Sequence, residues 1–484
     1  MTRARIPLLA VAAAMMSAVI GASPQQSTAR AKASAQTALD RYVAAPDPNF
    51  TWKISRQLPA EGVTATLLDM TSQKWLTEQQ VERPLWTHWI TVVSPEKVTS
   101  DVALLYITGG SLDRQPPAAP SAWLVDAAKT TGTVTAELRL VPNQPVVFKD
   151  DPEHKKRSED DFIAYTWNKF LRTGDEKWPA RLPMTKSAVR AMDAVTQFAA
   201  SPDGGGNKIT RFVVTGASKR GWTTWTTAAV DTRVIAIAPA VIDMLNVEPS
   251  FIHHYRAYGK WSDAVKDYEQ QGIMNWMGTK EFRALMKIEE PYEYRDRLTL
   301  PKFLVNASGD QFFLPDSSQF YFDDLRGEKY LRYVANTSHS LDKSDAIETL
   351  QAFYASVVAG AKRPQFRWSF EHDGAIKVVA KDRPDEVHLW QAVNPDARVF
   401  RQDQVGDAYK STTLTPSGPN TWIARVTPPR AGWTASFVEL TFPTGGKYPL
   451  KLTTGIRVLP DTLPYAAPKP DRAHTVESGA RKPM

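Results

Sequence analysis

Along this chain, short apolar runs rich in β-branched and aromatic residues alternate with longer stretches where apolar positions recur every three or four residues. Thr64 to Met70, Trp86 to Val93 and Val102 to Thr108 have the composition of strands. Ser121 to Thr130 predicts a short helix, Thr133 to Leu140 a strand, and Phe162 to Arg172 a helix. Ser187 to Ala200 sets Val189, Met192, Val195 and Phe198 at helical spacing. A strand from Phe212 and a helix over Trp222 to Val230 follow, then Val234 to Ile242, whose unbroken apolar character fits a strand buried on both faces. Pro301 to Asn306 and Tyr330 to Val334 predict two further strands, and Asp342 to Val358 a helix. Strand followed by helix, repeated, predicts a mostly parallel sheet with helices on its faces.

Two stretches break that rhythm. Residues 244–300 are helical in pattern and crowded with aromatic residues, so they predict a helical cap inserted between two strands of the sheet. A cap there would project from the carboxyl edge of the sheet, where ligands bind, with Tyr255, Trp261 and, from the helix beside it, Trp222 as candidate substrate contacts. Beyond Gln365 the helical period disappears. Ile376 to Ala380, Val387 to Val393, Trp422 to Val426, Phe437 to Phe442 and Ile456 to Leu459 are separated by turn residues, predicting an antiparallel β-sandwich of immunoglobulin-like type over 365–460. The main domain is then expected over 40–362, with an Ala- and Ser-rich lead-in over 23–44 and a poorly ordered tail over 461–484.

Composition narrows the setting. Arg3 and Arg5 precede an apolar run that ends in Gly21-Ala22-Ser23, which predicts a signal peptide over 1–22 and a periplasmic or secreted protein with no stable membrane insertion. The 484 residues include no Cys, so stability rests on the core, and thiol nucleophiles and Cys-ligated metals are excluded. The net charge of +7 is dispersed; its densest cluster, His154 to Arg157, abuts Glu159-Asp160-Asp161 and reads as a solvated loop. Nucleic-acid binding needs a concentrated basic face, so no nucleic-acid partner is expected.

The chemistry gathers at the ends of predicted strands. Phe212 to Thr215 runs into Gly216-Ala217-Ser218-Lys219-Arg220-Gly221 and straight into a helix. This approximates the nucleophile elbow G-x-S-x-G, in which a serine sits on a tight strand-to-helix turn, although the second glycine here comes one place late. The Lys219 amide would face a developing oxyanion, and the Gly109-Gly110 turn after Val102 to Thr108 places Gly110 as a second donor. Asp310 follows the strand at 301–306 and His339 the strand at 330–334, so nucleophile, acid and base occur in the order Ser218, Asp310, His339. Asp316, in the same loop as Asp310, is an alternative acid whose other role is to cap the turn that follows. His253 and His254 are adjacent and lack a carboxylate at metal-binding spacing, so no metal or other cofactor is expected.

The segments LPMTKSAVRAMDAV, FVVTGASKRGWTTW, NASGDQFFLPDSSQFYFDDL and NTSHSL together resemble the PhoPQ-activated pathogenicity-related protein family, which includes autocrine-proliferation-repressor-like proteins. The resemblance extends over roughly residues 40–460. It implies an exported protein of α/β-hydrolase fold with Ser218, Asp310 and His339 at the matching positions. The elbow and the GDQF segment are also distantly similar to secreted serine aminopeptidases. The expectation is a serine hydrolase acting on a small peptide or an ester. The competing class is a binding or signalling protein that keeps the scaffold without the chemistry.

Overall fold

Strands buried on both sides mark the centre of the molecule. The computed structural model describes residues 36–426 and 428–471, so the expected signal peptide and the end of the tail lie outside the described residues. The strands are β1 (Thr51–Leu58), β2 (Val63–Lys74), β3 (Leu85–Pro95), β4 (Val102–Ile107), β5 (Val134–Leu138), β6 (Arg211–Ala217), β7 (Val234–Ala240), β8 (Lys302–Ala307) and β9 (Lys329–Val334). The C-terminal region adds β10 (Phe366–Phe370), β11 (Ile376–Ala380), β12 (Glu386–Asn394), β13 (Lys410–Thr413), β14 (Thr421–Ala424), β15 (Trp433–Phe442), β16 (Leu450–Thr453) and β17 (Arg457–Leu459).

The described residues form a 14-stranded sheet in the order β1-β2-β3-β5-β4-β6-β7-β8-β9-β16-β15-β12-β13, with β17 paired to β15. The pairs from β5 through β4, β6, β7 and β8 to β9 are parallel. Alternation along the strands divides the core in two. Ala103, Leu105, Phe212 and Val214 pack in one cluster with the helices Glu159–Thr173, Arg181–Ala200 and Lys219–Val230. Val102, Leu104 and Val213 face the opposite cluster with Leu124, Leu350 and Phe353 from the helices Ala122–Thr131 and Ala346–Val358. Every residue of β5 and β8 is buried, as a parallel sheet covered on both faces requires. This is the α/β-hydrolase architecture, and the segment between β7 and β8 is helical as its pattern predicts.

The sandwich is present but not detached. β10, β11 and β14 form a separate three-stranded sheet, and Ile376, Val378 and Trp422 from it share a core with Val387, Leu389 and Leu440 of the facing strands. Those facing strands belong to the large sheet. β16 joins β9 through the pair Thr453–Leu331, and the Tyr333 amide donates to Thr453 Oγ1 at 3.0 Å. An uncovered β9 would leave a row of unpaired backbone groups. The buried Arg332 of β9 adds ion pairs to Glu439 of β15 and, at 2.8 Å, to Asp345.

Four local expectations need correction. The end of the lead-in is ordered: Ala38–Ala44 is a helix with a Thr37–Asp40 capping box, and it buries Leu39 and Val43. The basic cluster is not uniformly solvated, because Arg157 is buried and bonded to Asp151 and Asp161 at 2.9 and 2.5 Å. The tail is laid down as far as residue 471, with the Tyr465 amide donating to Arg256 O at 3.1 Å. The helix expected from Ser187 starts at Arg181, with Pro183 in its first turn, where a missing amide hydrogen costs little.

Candidate active site

Ser218 joins β6 to the helix Lys219–Val230 with φ 58° and ψ −129°, a region that residues bearing a side chain rarely occupy. Its amide donates to Ala240 O of β7 at 2.8 Å. A Cβ on Gly216 would lie 2.8 Å from Arg220 O, and one on Gly221 2.6 Å from Ile242 Cγ2. The two glycines therefore let strand, turn and helix close on one another even with the second one displaced. The Lys219 amide is in the first turn of the helix and has no acceptor among the described residues, so it is available to an anion.

Beneath this turn lies Arg181, 1% exposed. Its Nη1 donates to Lys219 O at 2.7 Å and to Thr223 Oγ1 at 2.8 Å, while Nε lies 3.3 Å from Glu289 Oε2. Burial pulls the guanidinium below its ordinary pKa, opposed by the Glu289 charge. Above the turn, Lys219 Nζ pairs with Glu159 at 2.9 Å and with Asp160 at 3.2 Å, and Arg220 clasps Glu159 through both terminal nitrogens at 2.8 and 2.6 Å. Burial works against the Glu159 charge, yet Arg220 and Lys219 hold its carboxyl well below the usual carboxylate range.

The acid and base come together from the loops after β8 and β9. Asp310 is buried; its Oδ2 lies 2.8 Å from His339 Nδ1 and its Oδ1 accepts the Phe312 amide at 2.7 Å. The His339 ring rests on Phe312 and Phe313, with centroids 4.4 and 5.9 Å away, and its amide donates to Gln311 Oε1 at 3.2 Å. Asp316 serves elsewhere. It precedes the turn Ser317–Phe320 as expected, but its side chain does not cap that turn. It pairs instead with His253 at 3.1 Å and with Arg398 at 2.5 Å. Burial raises its pKa, but Arg398 and His253 outweigh that and hold it well below the usual range.

A cavity opens at Ser218 and Lys219. Trp222, Phe251, Phe312 and Phe313 supply apolar wall, so the rings that support His339 also face the space beside Ser218. Among the described residues no hydrogen bond joins Ser218 to His339. Asp160, Arg181 and Tyr268 supply the polar side of the cavity, with Tyr268 donating to Asp160 at 3.1 Å.

Of the expected substrate contacts, Trp222 lines this cavity, whereas Tyr255 and Trp261 meet edge to face with centroids 4.9 Å apart and line a different depression with Pro468 and Pro470. Gly110 lies outside the cavity lining, and its carbonyl accepts Gln144 Nε2 at 3.0 Å. Asp160, Glu159 and Arg181 were not legible as site residues, since each reaches the elbow across the fold. The opposite charges of Glu159-Asp160-Asp161 and Lys219-Arg220 are the signal that could have brought the two acidic residues to the elbow; Arg181 offers none. Among the described residues, no group of three or more His, Cys, Asp or Glu is placed to hold a metal ion.

The sequence matches the family described as PhoPQ-activated pathogenicity-related protein over residues 39–401. It is 36% identical over 460 residues to autocrine proliferation repressor protein A of Dictyostelium discoideum, which covers 89% of this chain and 92% of that protein. Among solved structures it is similar to an acetyl xylan esterase from Paenibacillus sp. R4 (13% identity, TM-score 0.43, 62% of this chain and 86% of that one). A glucuronoyl esterase from Solibacter usitatus (14%, 0.39, 66% and 91%) and an acylaminoacyl peptidase from Pyrococcus horikoshii (12%, 0.39, 63% and 49%) are similar too.

Proposed function

The chain belongs to the PhoPQ-activated pathogenicity-related protein family, and from the geometry of its site we propose that it is a serine hydrolase acting on peptide bonds, in the manner of an aminopeptidase, or on esters. The observation that carries this reading is the 2.8 Å Asp310–His339 pair, whose supporting rings border the same cavity as the strained Ser218 turn. With Nδ1 engaged by Asp310, His339 presents Nε2 as the general base. Ser218 Oγ attacks the substrate carbonyl carbon as Nε2 takes its proton, and the carbonyl electron pair moves onto oxygen. The Lys219 amide stabilises that oxyanion at the helix N-terminus. Collapse expels the leaving group, protonated by His339, and a water activated by His339 then cleaves the acyl-serine.

The aromatic wall suits an apolar group next to the scissile bond, and the Asp160–Lys219 side suits a polar one. A fluorophosphonate probe tests the reaction: labelling that disappears in Ser218→Ala supports it, and an unlabelled wild-type protein overturns it. Aminoacyl anilides set against p-nitrophenyl esters then divide peptidase from esterase. A second reading, a binding protein on the same scaffold, is favoured by one observation, the lack of a hydrogen bond between Ser218 and His339 among the described residues. The N-terminal pattern supports a periplasmic or secreted location, which fractionation of cells expressing the full chain tests.

A further inference from the structure

We propose that the segment 398–409, carried between β12 and β13 of the C-terminal strands, positions the Asp310–His339 pair, with Gln402 and Asn336 as the positioning residues. This rests on the hydrolase reading for its consequence but not for its geometry. Gln402 touches both catalytic loops at once. Its amide donates to Gly309 O at 2.9 Å, the residue before Asp310, and its Nε2 donates to Asn336 O at 2.7 Å, in the loop that leads to His339. Gly309 in turn donates to Thr337 O at 3.0 Å, so Thr337, Gly309 and Gln402 run side by side. A Cβ on Gly309 would lie 2.8 Å from Gln402 N and 2.9 Å from Thr337 O, which leaves no room for any other residue in that line.

Asn336 completes the splint. Its Oδ1 accepts the Tyr409 amide and its Nδ2 donates to Tyr409 O, both at 2.9 Å, so one side chain binds the backbone of the segment as a strand would. It does so from φ 54°, a left-handed conformation that Asn tolerates. At the other end Arg398 holds Asp316, and Arg401 Nη1 reaches Ser262 Oγ at 3.3 Å, which itself donates to Gln311 O at 2.7 Å. Both neighbours of Asp310, Gly309 and Gln311, are thereby tied to the segment, directly or through Ser262. A base displaced by about 1 Å loses on the order of 100-fold in rate, so bonds this close to Asp310 and His339 act on catalysis through geometry.

The test uses the full chain. Asn336→Gly keeps the left-handed backbone at no steric cost and deletes both bonds to Tyr409; Gln402→Ala deletes the bond to Asn336 O and spares its own amide. The first readout is the His339 Nδ1 proton in the NMR spectrum, assigned by its absence in His339→Gln. In the wild type it should be downfield and protected; in the double variant it should broaden into exchange or move upfield. The second is ester hydrolysis, where kcat should fall about 10–100-fold with KM within about twofold. An unchanged His339 resonance in the variant overturns the proposal whatever happens to the rate. If the wild type proves unreactive to the fluorophosphonate probe, the hydrolase reading falls while the resonance still decides this inference. Should the double variant not fold, Gln402→Ala alone carries the same readout.

Discussion

The nucleophile and its acid–base partners are built on opposite plans. Ser218 is held by a strand, a turn and a helix that follow one another within residues 211–230, and its backbone is set by glycines a few positions away. Asp310 and His339 stand on two loops held in place by a third stretch of chain far along the sequence. The comparison teaches that one half of a site can be a property of local sequence while the other half is a property of the whole fold. Substitutions should therefore behave differently on the two sides.

The largest effect separates the two carboxylates of one loop. Asp310→Asn should lower kcat by about 10⁴-fold with little change in stability, because the amide leaves the imidazole in the wrong tautomer. Asp316→Asn should do the reverse, leaving turnover within about tenfold while costing about 3–5 kcal/mol in denaturant unfolding, since it strips a buried Arg398 of its partner. Equal turnover in Asp310→Asn and wild type would reassign the acid. On the nucleophile side, Ser218→Gly should abolish activity and yet stabilise the fold by about 1 kcal/mol, because the positive φ no longer carries a side chain. A lower melting temperature in that variant would show that the turn is not strained.

One further effect belongs to both regions. Asp243, just past β7, is enclosed by Tyr321 and Tyr333, whose hydroxyls each donate at 2.6 Å. Burial raises its pKa to about 7, with the Asp310 and Asp316 charges adding to the rise and the two tyrosine hydrogen bonds opposing it. The folded state thus binds the proton more tightly than the unfolded chain. Stability contributed by the neutral carboxyl is whole below about pH 4 and declines as pH rises towards 7. In melting experiments from pH 4 to pH 8, Asp243→Asn should gain on the wild type up to about pH 7 and then hold a constant difference.

What the sequence disclosed follows the same division. The elbow was legible because its strand, its glycines and its helix are neighbours in the chain, and even the displaced Gly221 did not obscure it. The Asp310 and His339 positions were legible because each follows an apolar strand. The polar floor was not: Arg181 precedes the apolar face of its helix and carries no local pattern, and its partners Lys219, Thr223 and Glu289 are distant. Aromatic content foretold an aromatic cavity but could not assign its members, so Tyr255 and Trp261 were expected there while Trp167 was not. β1 escaped because it is an exposed edge strand with almost no buried face. Segment 398–409 offered no periodicity: Phe400 and Tyr409 are buried one at a time, nine positions apart, and backbone and side-chain bonds hold what lies between them.

The pairing of β16 with β9 has a consequence for how the molecule comes into being. A ribosome delivers the elbow before the loops of the acid and base, and residues 450–453 later still. Until those final strands emerge, the flank of β9 is bare and the splint has nothing behind it, so the newborn polypeptide passes a long stretch of its synthesis with a finished alcohol and an unfinished base.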